Sequence, residues 1–241
     1  MSDIPFLTAD QMREVDRLMI EEYGIELLQM MENAGRGLAG LARERFLEGD
    51  PRRRAVVLLA GAGGNGGGGL VAARRLHAWG VRVHVLLTRT AETYRGVPAR
   101  QLATLRSMGV ALAFEAEPAP LPSADLIVDA LIGYSLSGDP RGMPAKLIRR
   151  ANEAAAPVLS LDVPSGIDAT SGQVAEPAIR ADATLTLALP KTGLRAPAAG
   201  PHVGELYLAD IGVPRELYAE ASLGLDVGPI FAGGEILRLP D

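Results

Sequence analysis

Residues Ala55–Gly69 read AVVLLAGAGGNGGGG, an apolar run that passes directly into a stretch containing seven glycines. A continuous apolar run of this length is typical of a strand buried on both faces of a parallel sheet. The glycines are predicted to form a loop that leads into a helix through Ala72 and Leu76. In such a loop, backbone N–H groups can approach a phosphate without obstruction by Cβ atoms. The stretch therefore predicts a parallel α/β fold with an anion-binding edge.

Strands and helices alternate on both sides of this stretch. Further strands are predicted at 81–87, 126–131, 158–161, 183–189 and 205–211. Helices are predicted from Thr8 as N-cap, at 25–46, 99–108, 144–155 and 215–221, with a loop at 115–122. This alternation predicts a Rossmann-like three-layer α/β/α fold with a mostly parallel sheet. The expected division is a single domain over 1–222 and an extended or partly disordered tail, or a truncated linker, at 223–241.

The composition narrows the classes of partner. The 241 residues carry a net charge of −5 and only 4% aromatic residues, which disfavours nucleic acid as a partner. No segment has the roughly 18 apolar residues that span a bilayer, and the first residues show no secretory signal, so we expect no membrane association and a cytoplasmic location. Cysteine is absent, and His77, His84 and His202 lack ligand spacing, so no transition-metal site is predicted.

Polar side chains follow several of the predicted strands. Asp129 ends the third strand, Asp162 and Ser165 follow the fourth, and Lys191 follows the fifth. Ligands of open parallel sheets bind outside the carboxyl ends of the strands, so these groups are expected at one edge. Each aspartate or serine alone has an alternative interpretation as a turn residue.

Lysine is rare in this chain, which contains 22 arginines and only Lys146 and Lys191. Lys146 lies on an arginine-rich helix and is expected at the surface. A lysine kept after a strand end indicates a need for a compact ammonium that can give up its proton, which arginine cannot do. Glu32 and Asn33, beside the apolar stripe of the second helix, could be functional or simply its solvated edge.

The glycine stretch contains Gly61-x-Gly63-x-x-Gly66, the dinucleotide fingerprint. A redox Rossmann enzyme would also have an acidic residue after the second strand, but that strand ends Leu87-Thr88-Arg89. An NADP-dependent oxidoreductase is therefore a weak alternative, based on this fingerprint and on Arg89. A tight strand–helix turn that requires small residues is the purely structural alternative.

Five motifs occur in an order that resembles the NAD(P)H-hydrate epimerase family, the YjeF N-terminal domain, over residues 7–219. They are MMENAG at 30–35, GGNGGGGLVAAR at 63–74, VDALIG at 128–133, LDVPSGIDA at 161–169 and PKTG at 190–193.

The resemblance implies a homodimer that interconverts the R and S epimers of hydrated NADH and NADPH (NADHX and NADPHX), after which a partner dehydratase restores the cofactor. It implies Asp162 and Lys191 as catalytic residues, and a potassium ion held by Asn65, Asp129 and Ser165. The substrate contacts it implies are Gly64, Asn65, Gly66, Gly67, Gly68, Gly133, Tyr134, Ser135, Leu136, Ser137, Gly138, Asp139 and Asp162.

Two segments depart from the family pattern. Gly64 and Gly68 stand where the family has Asn and Asp, and Ile132-Gly133-Tyr134-Ser135 replaces a common Phe-Gly-Thr-Gly. A lost charged hydrogen bond costs about 1.5–3 kcal/mol, or roughly 10–150-fold in affinity. A catalytically weakened nucleotide-binding or scaffold member of the same fold is therefore the main alternative to an active epimerase.

Overall fold

The computed structural model describes residues 4–114 and 120–240, and within them eight strands form one sheet in the order β3-β2-β1-β4-β5-β6-β7-β8. The strands are β1 (Ala55–Ala60), β2 (Arg82–Leu87), β3 (Ala111–Ala113), β4 (Leu126–Ala130), β5 (Val158–Leu161), β6 (Ala183–Leu187), β7 (Glu205–Ala209) and β8 (Ile236–Arg238). The helices are α1 (Ala9–Glu21), α2 (Leu27–Leu41), α3 (Gly64–Ala78), α4 (Gly96–Ser107), α5 (Gly142–Glu153), α6 (Gly200–Val203) and α7 (Arg215–Tyr218).

The central strand β1 is buried on both sides, as its apolar run predicts. Val56 and Leu58 belong to the core cluster shared with α2, α3 and α4, whereas Val57 and Leu59 pack with Leu147 and other residues of α5. Helices therefore cover both faces of a sheet that is parallel except for the β7–β8 pair. The predicted three-layer α/β/α class is confirmed.

The glycine stretch is not a loop for most of its length, because α3 already begins at Gly64. A Cβ on Gly66 would lie 1.8 Å from the carbonyl oxygen of Gly61, and one on Gly69 would lie 2.5 Å from the Cβ of Ala130. A Cβ on Gly67 would come within 2.5 Å of the sulfur of Met31. These glycines let the first turns of α3 approach the sheet and α2 closely, and this packing outweighs their low helix propensity.

The other boundaries shift by a few residues. The capping box predicted at Thr8 is present, with Gln11 as its partner. The second helix ends at Leu41 and continues as a π-helical turn through Phe46. Of the predicted loop at 115–122, residues 115–119 lie outside the described residues. No helix in the described part of the chain is long and apolar enough to cross a bilayer.

The segment after residue 222 contributes to the sheet, although no strand is predicted there. β8 pairs antiparallel with β7, in register from Tyr207↔Arg238 to Ala209↔Ile236. Val227 and Leu239 are buried. The division at residue 222 remains a prediction, and the structure adds that part of 223–241 packs on the same domain.

Candidate active site

A cavity of about 160 Å³ lies at the carboxyl ends of the central strands. The strand order runs outward in opposite directions from β1 and from its neighbour β4, so the gap between these two strands is a topological switch point. Ligands of doubly wound folds bind at such a point. Predicted site residues that line the cavity are Gly64, Asn65, Gly68, Gly133, Tyr134, Ser135, Asp162 and Lys191. Met12, Met30 and Met31 contribute an apolar wall.

Asp162 and Lys191 form a buried ion pair at the edge of this cavity. The Nζ atom of Lys191 lies 2.5 Å from Oδ1 of Asp162, and the lysine side chain is fully buried. Lys191 Nζ also donates to the carbonyl oxygen of Leu187 at 2.8 Å, which fixes the direction of the ammonium. A buried charge requires such partners, so the two side chains hold each other at the cavity wall.

Asp162 adopts an unusual backbone conformation. Its φ of +68° lies in the left-handed region, which few non-glycine residues adopt. The Asp162 amide still donates to the carbonyl of Leu185, at 2.7 Å, as a continuation of the β5–β6 pairing. Its Oδ2 accepts from the amide of Tyr134 at 3.3 Å. Backbone strain of this kind collects at functional sites, where it aims a side chain.

Asp129 at the end of β4 is completely buried and accepts four hydrogen bonds. Oδ2 accepts from the Ser160 hydroxyl at 2.8 Å and the Ser165 amide at 2.9 Å. Oδ1 accepts from the Ser165 hydroxyl at 2.6 Å and the Leu131 amide at 3.2 Å. Burial raises the pKa of Asp129, and the bonds from Ser165 and Ser160 oppose that rise. The network fixes the Asp129 carboxyl against the loop that follows β4.

Asn65 lies against the same loop. It is so close to Gly133 that a Cβ added to this glycine would lie 3.1 Å from the Cγ of Asn65. The Nδ2 atom of Asn65 is buried and has no hydrogen-bond partner within the described residues. The two ends of an amide are assigned from the surrounding hydrogen bonds, so this position can equally hold the amide oxygen. The described residues contain no group of three or more His, Cys, Asp or Glu placed to hold a metal. Asn65, Asp129 and Ser165 instead supply amide, carboxylate and hydroxyl oxygens, the donors that suit a hard cation.

Other predicted substrate contacts lie away from the cavity. Gly66 packs against Gly61, and Gly67 packs against Met31, so the lack of a side chain at these two positions allows the close packing of α3. Leu136, Ser137, Gly138 and Asp139 continue the loop after Ser135, and the last three are exposed. Asp139 accepts a hydrogen bond from the amide of Glu176 at 3.2 Å.

Asp16 is a cavity residue that the sequence patterns did not single out. Its Oδ2 accepts a hydrogen bond from the Tyr134 hydroxyl at 2.5 Å. Helix α1 buries Met12, Val15 and Met19, and Asp16 lies among them in the sequence. An acid within the apolar stripe of an amphipathic helix is a signal that could have identified it.

The loop that carries Lys191 is held by the beginning of the chain. The Leu7 amide donates to the Pro190 carbonyl at 2.8 Å, and the Thr192 amide donates to the Leu7 carbonyl at 2.9 Å. Leu7 is fully buried. Thr8, the next residue, caps α1, so one short segment positions both Lys191 and the helix of Asp16.

Glu32 and Asn33 have structural partners. Glu32 accepts hydrogen bonds from Arg74 of α3, at 2.5 and 2.8 Å, and from Gln101 of α4 at 3.1 Å. Asn33 donates to the carbonyl of Ile211 at 3.0 Å. These contacts tie α2 to its neighbours and favour the structural interpretation of both residues.

Comparison with known proteins shows the family of this chain. The family model "YjeF-related protein N-terminus" matches residues 27–193. An NAD(P)H-hydrate epimerase of Dehalogenimonas lykanthroporepellens is 45% identical over 94% of this chain and 90% of its own length. One from Rhodopirellula baltica is 34% identical over 91% and 89%.

Two further proteins extend the comparison. A bifunctional NAD(P)H-hydrate repair enzyme Nnr of Moorella thermoacetica is 37% identical over 88% of this chain and 41% of its own length. The crystal structure of yeast ynu0, YNL200c, superposes with a TM-score of 0.79 and 24% identity, over 98% of this chain and 100% of that one, and shows the same fold. The chain therefore belongs to the family of the YjeF-related protein N-terminus, that of the NAD(P)H-hydrate epimerases.

Proposed function

We propose that this protein interconverts the R and S epimers of NADHX and NADPHX in nicotinamide cofactor repair. The observation that carries the proposal is the buried Asp162–Lys191 pair at the cavity wall. Its support from similarity is 45% identity over most of the chain to a protein named NAD(P)H-hydrate epimerase.

The reacting carbon of the substrate bears a hydroxyl and is bonded to the ring nitrogen. For the configuration to change, the hydroxyl leaves as water with a proton from an acid, and the nitrogen lone pair forms an iminium. Water then adds to the opposite face and gives a proton to a base. The Asp162 carboxyl can transfer such a proton while Lys191 holds it in position, and acid–base catalysis contributes about 10²–10⁴-fold. This chemistry transfers no hydride, in keeping with Thr88 and Arg89, rather than an acid, after β2.

The size of the cavity indicates how the substrate binds. Pockets that enclose a whole ligand measure about 300–1,000 Å³, whereas this cavity measures about 160 Å³. We expect the hydrated ring to enter it and the rest of the dinucleotide to remain outside. Gly64 lines the cavity at the first turn of α3, where free N–H groups favour the pyrophosphate. The exposed loop from Ser135 to Asp139 follows a cavity residue directly and is placed to contact the outer part.

A potassium ion held by Asn65, Asp129 and Ser165 is part of the proposal. It is supported by the unpartnered end of the Asn65 amide and by the buried carboxyl of Asp129, which has no ion pair within the described part of the chain. A bound cation would offset the charge of Asp129 and order the loop after β4. We expect potassium to raise the melting temperature more than lithium does, and the Ser165→Ala variant to lose that difference.

We further propose a homodimer that acts in the cytoplasm beside an NAD(P)HX dehydratase. The bifunctional Moorella relative supports the last point, since the chain matches 41% of a protein named for the whole repair. Light scattering tests the homodimer. A coupled assay with a dehydratase specific for one epimer tests the functional partnership with the dehydratase.

The decisive experiment supplies one purified epimer of NADHX and follows the other by chromatography. We expect the wild-type protein to accelerate interconversion and the Asp162→Asn variant, if folded by circular dichroism, to lose that acceleration. Undiminished turnover in the variant would refute the role of Asp162. Binding of the hydrate without acceleration by the wild-type protein would instead support a nucleotide-binding or scaffold member of the fold.

A further inference from the structure

Asp16 is a second carboxyl group in the cavity and is not part of the Asp162–Lys191 ion pair. It extends from α1, whereas Asp162 follows β5, and both line the same space. No lysine or arginine forms an ion pair with Asp16 within the described ranges, 4–114 and 120–240. Its hydrogen-bond partner is the neutral hydroxyl of Tyr134, at 2.5 Å.

Tyr134 connects the two carboxyl groups. Its hydroxyl donates to Asp16, and its backbone amide donates to Oδ2 of Asp162 at 3.3 Å. The carboxyls are therefore separated by about one tyrosine residue, and all three groups border the cavity. A ring that enters this space meets a carboxyl from α1 and another from the end of β5.

The surroundings of the two carboxyls differ. Asp162 is paired with an ammonium, whereas burial raises the pKa of Asp16, with a smaller contribution from the charge of Asp162. The Tyr134 hydrogen bond and the Lys191 charge oppose that rise. Burial and the neighbouring Asp16 raise the pKa of Tyr134 as well, so its hydroxyl stays protonated. A carboxyl whose pKa is raised holds its proton to higher pH, which suits Asp16 to the role of acid.

Epimerisation through loss and addition of water requires two proton transfers, on opposite faces of the ring. We propose that Asp16 is the second proton-transfer group of the site, a role that rests on the epimerase function proposed above. Protonated Asp16 gives its proton to the hydroxyl as the C–O bond breaks, and water leaves while the ring nitrogen forms the C=N bond. Water then forms a new C–O bond on the other face and gives its proton to Asp162. The reverse reaction exchanges the two roles, and solvent returns the proton between turnovers.

The test compares Asp16→Asn with Asp10→Asn, a matched change on the same helix at a side chain that is 91% exposed. We expect Asp16→Asn to lower kcat by about 10²–10⁴-fold with a much smaller change in KM, and Asp10→Asn to keep wild-type values. A kcat for Asp16→Asn equal to that of the wild-type protein would overturn the proposal. If that variant does not fold, Tyr134→Phe keeps both carboxyls and removes the hydrogen bond that opposes the raised pKa of Asp16. A fall of kcat displaced to higher pH in this variant supports the proposal, and an undisplaced fall opposes it.

The pH profile separates catalysis from a structural role. The groups around Asp16 are Tyr134, Asp162 and Lys191, with Arg13 of its own helix acting on Tyr134. In the direction that uses Asp16 as acid, kcat should fall as pH rises through its raised pKa, and residual activity of Asp16→Asn should lack this limb. An equal loss at every pH would oppose the proposal. If the wild-type protein does not interconvert the epimers, the proposed function itself fails; if it does and Asp16→Asn matches it, only the role of Asp16 fails.

Discussion

Replacement of Lys191 by methionine tests the energetic importance of the buried pair. Methionine fills a similar volume, so the change removes the ammonium with little loss of packing. It leaves the Asp162 side chain, only 5% exposed, as an unpaired buried charge. Breaking a buried pair from one side costs about 3–5 kcal/mol, which in a chain of this size lowers the melting temperature by about 6–20 °C. Natural domains have about 5–15 kcal/mol of stability, so we expect a folded but weakened protein.

Thermal and urea denaturation of Lys191→Met, Asp162→Asn and the double variant measure this cost. The double variant removes both charges, so it should be more stable than the sum of the two single losses predicts. Asp162→Asn and the double variant should lack epimerase activity because the proton-transfer group is absent, and Lys191→Met should lack it because Asp162 is no longer held in position. A Lys191→Met protein within about 1 kcal/mol of wild type, or strictly additive losses, would refute the reasoning.

Three further predictions concern other positions. Gly66→Ala should destabilise the protein by several kcal/mol, because the new Cβ would lie 1.8 Å from a carbonyl oxygen. Gly63→Ala, where a Cβ would meet open space, should not, and the urea midpoints of the two variants measure the difference. In Gly68→Asp the new Cβ would lie 3.0 Å from Leu161, so a small shift of that leucine accommodates it, and the added carboxylate should lower KM for the hydrate. An unchanged KM would show that the lack of a carboxylate at this position does not limit substrate binding. Because the pKa of Asp16 is raised, its contribution to stability is lost as pH rises from 3.8 through the raised value. Over that pH interval, the free energy of unfolding of the wild-type protein should decline relative to that of the Asp16→Asn variant.

Local patterns predicted most of the fold correctly. The apolar run of β1 and the capping box at Thr8 each depend on a few adjacent residues, and both are present. The predicted start of α3 is wrong by several residues because five glycines within one helix contradict helix propensity. Only the close approach of that helix to the sheet explains them, and such an approach is invisible in a one-dimensional pattern. β8 was missed because its three residues gain their stability from pairing with β7.

The candidate site was predictable where strand ends delivered it. Asp162 and Lys191 follow two adjacent parallel strands, and topology alone brings them to one edge. Asp16 comes from a helix far away in sequence, so no strand-end argument could place it. The resemblance implies Gly66 and Gly67 as substrate contacts, which stays a prediction, and in the structure both positions also pack closely against neighbouring residues. A glycine-rich segment suits both phosphate binding and tight packing, and the sequence contains no feature that separates the two.

The pairing of Leu7 with the residues on either side of Lys191 has a consequence for the order of assembly. During synthesis Leu7 leaves the ribosome long before residue 191 exists, so it cannot pair until that later segment has been made. The sheet can form progressively as its strands emerge, but the loop that bears the lysine is completed only when the segment of Leu7 meets this distant segment. A nascent chain can therefore acquire most of its core while it still lacks a finished active centre.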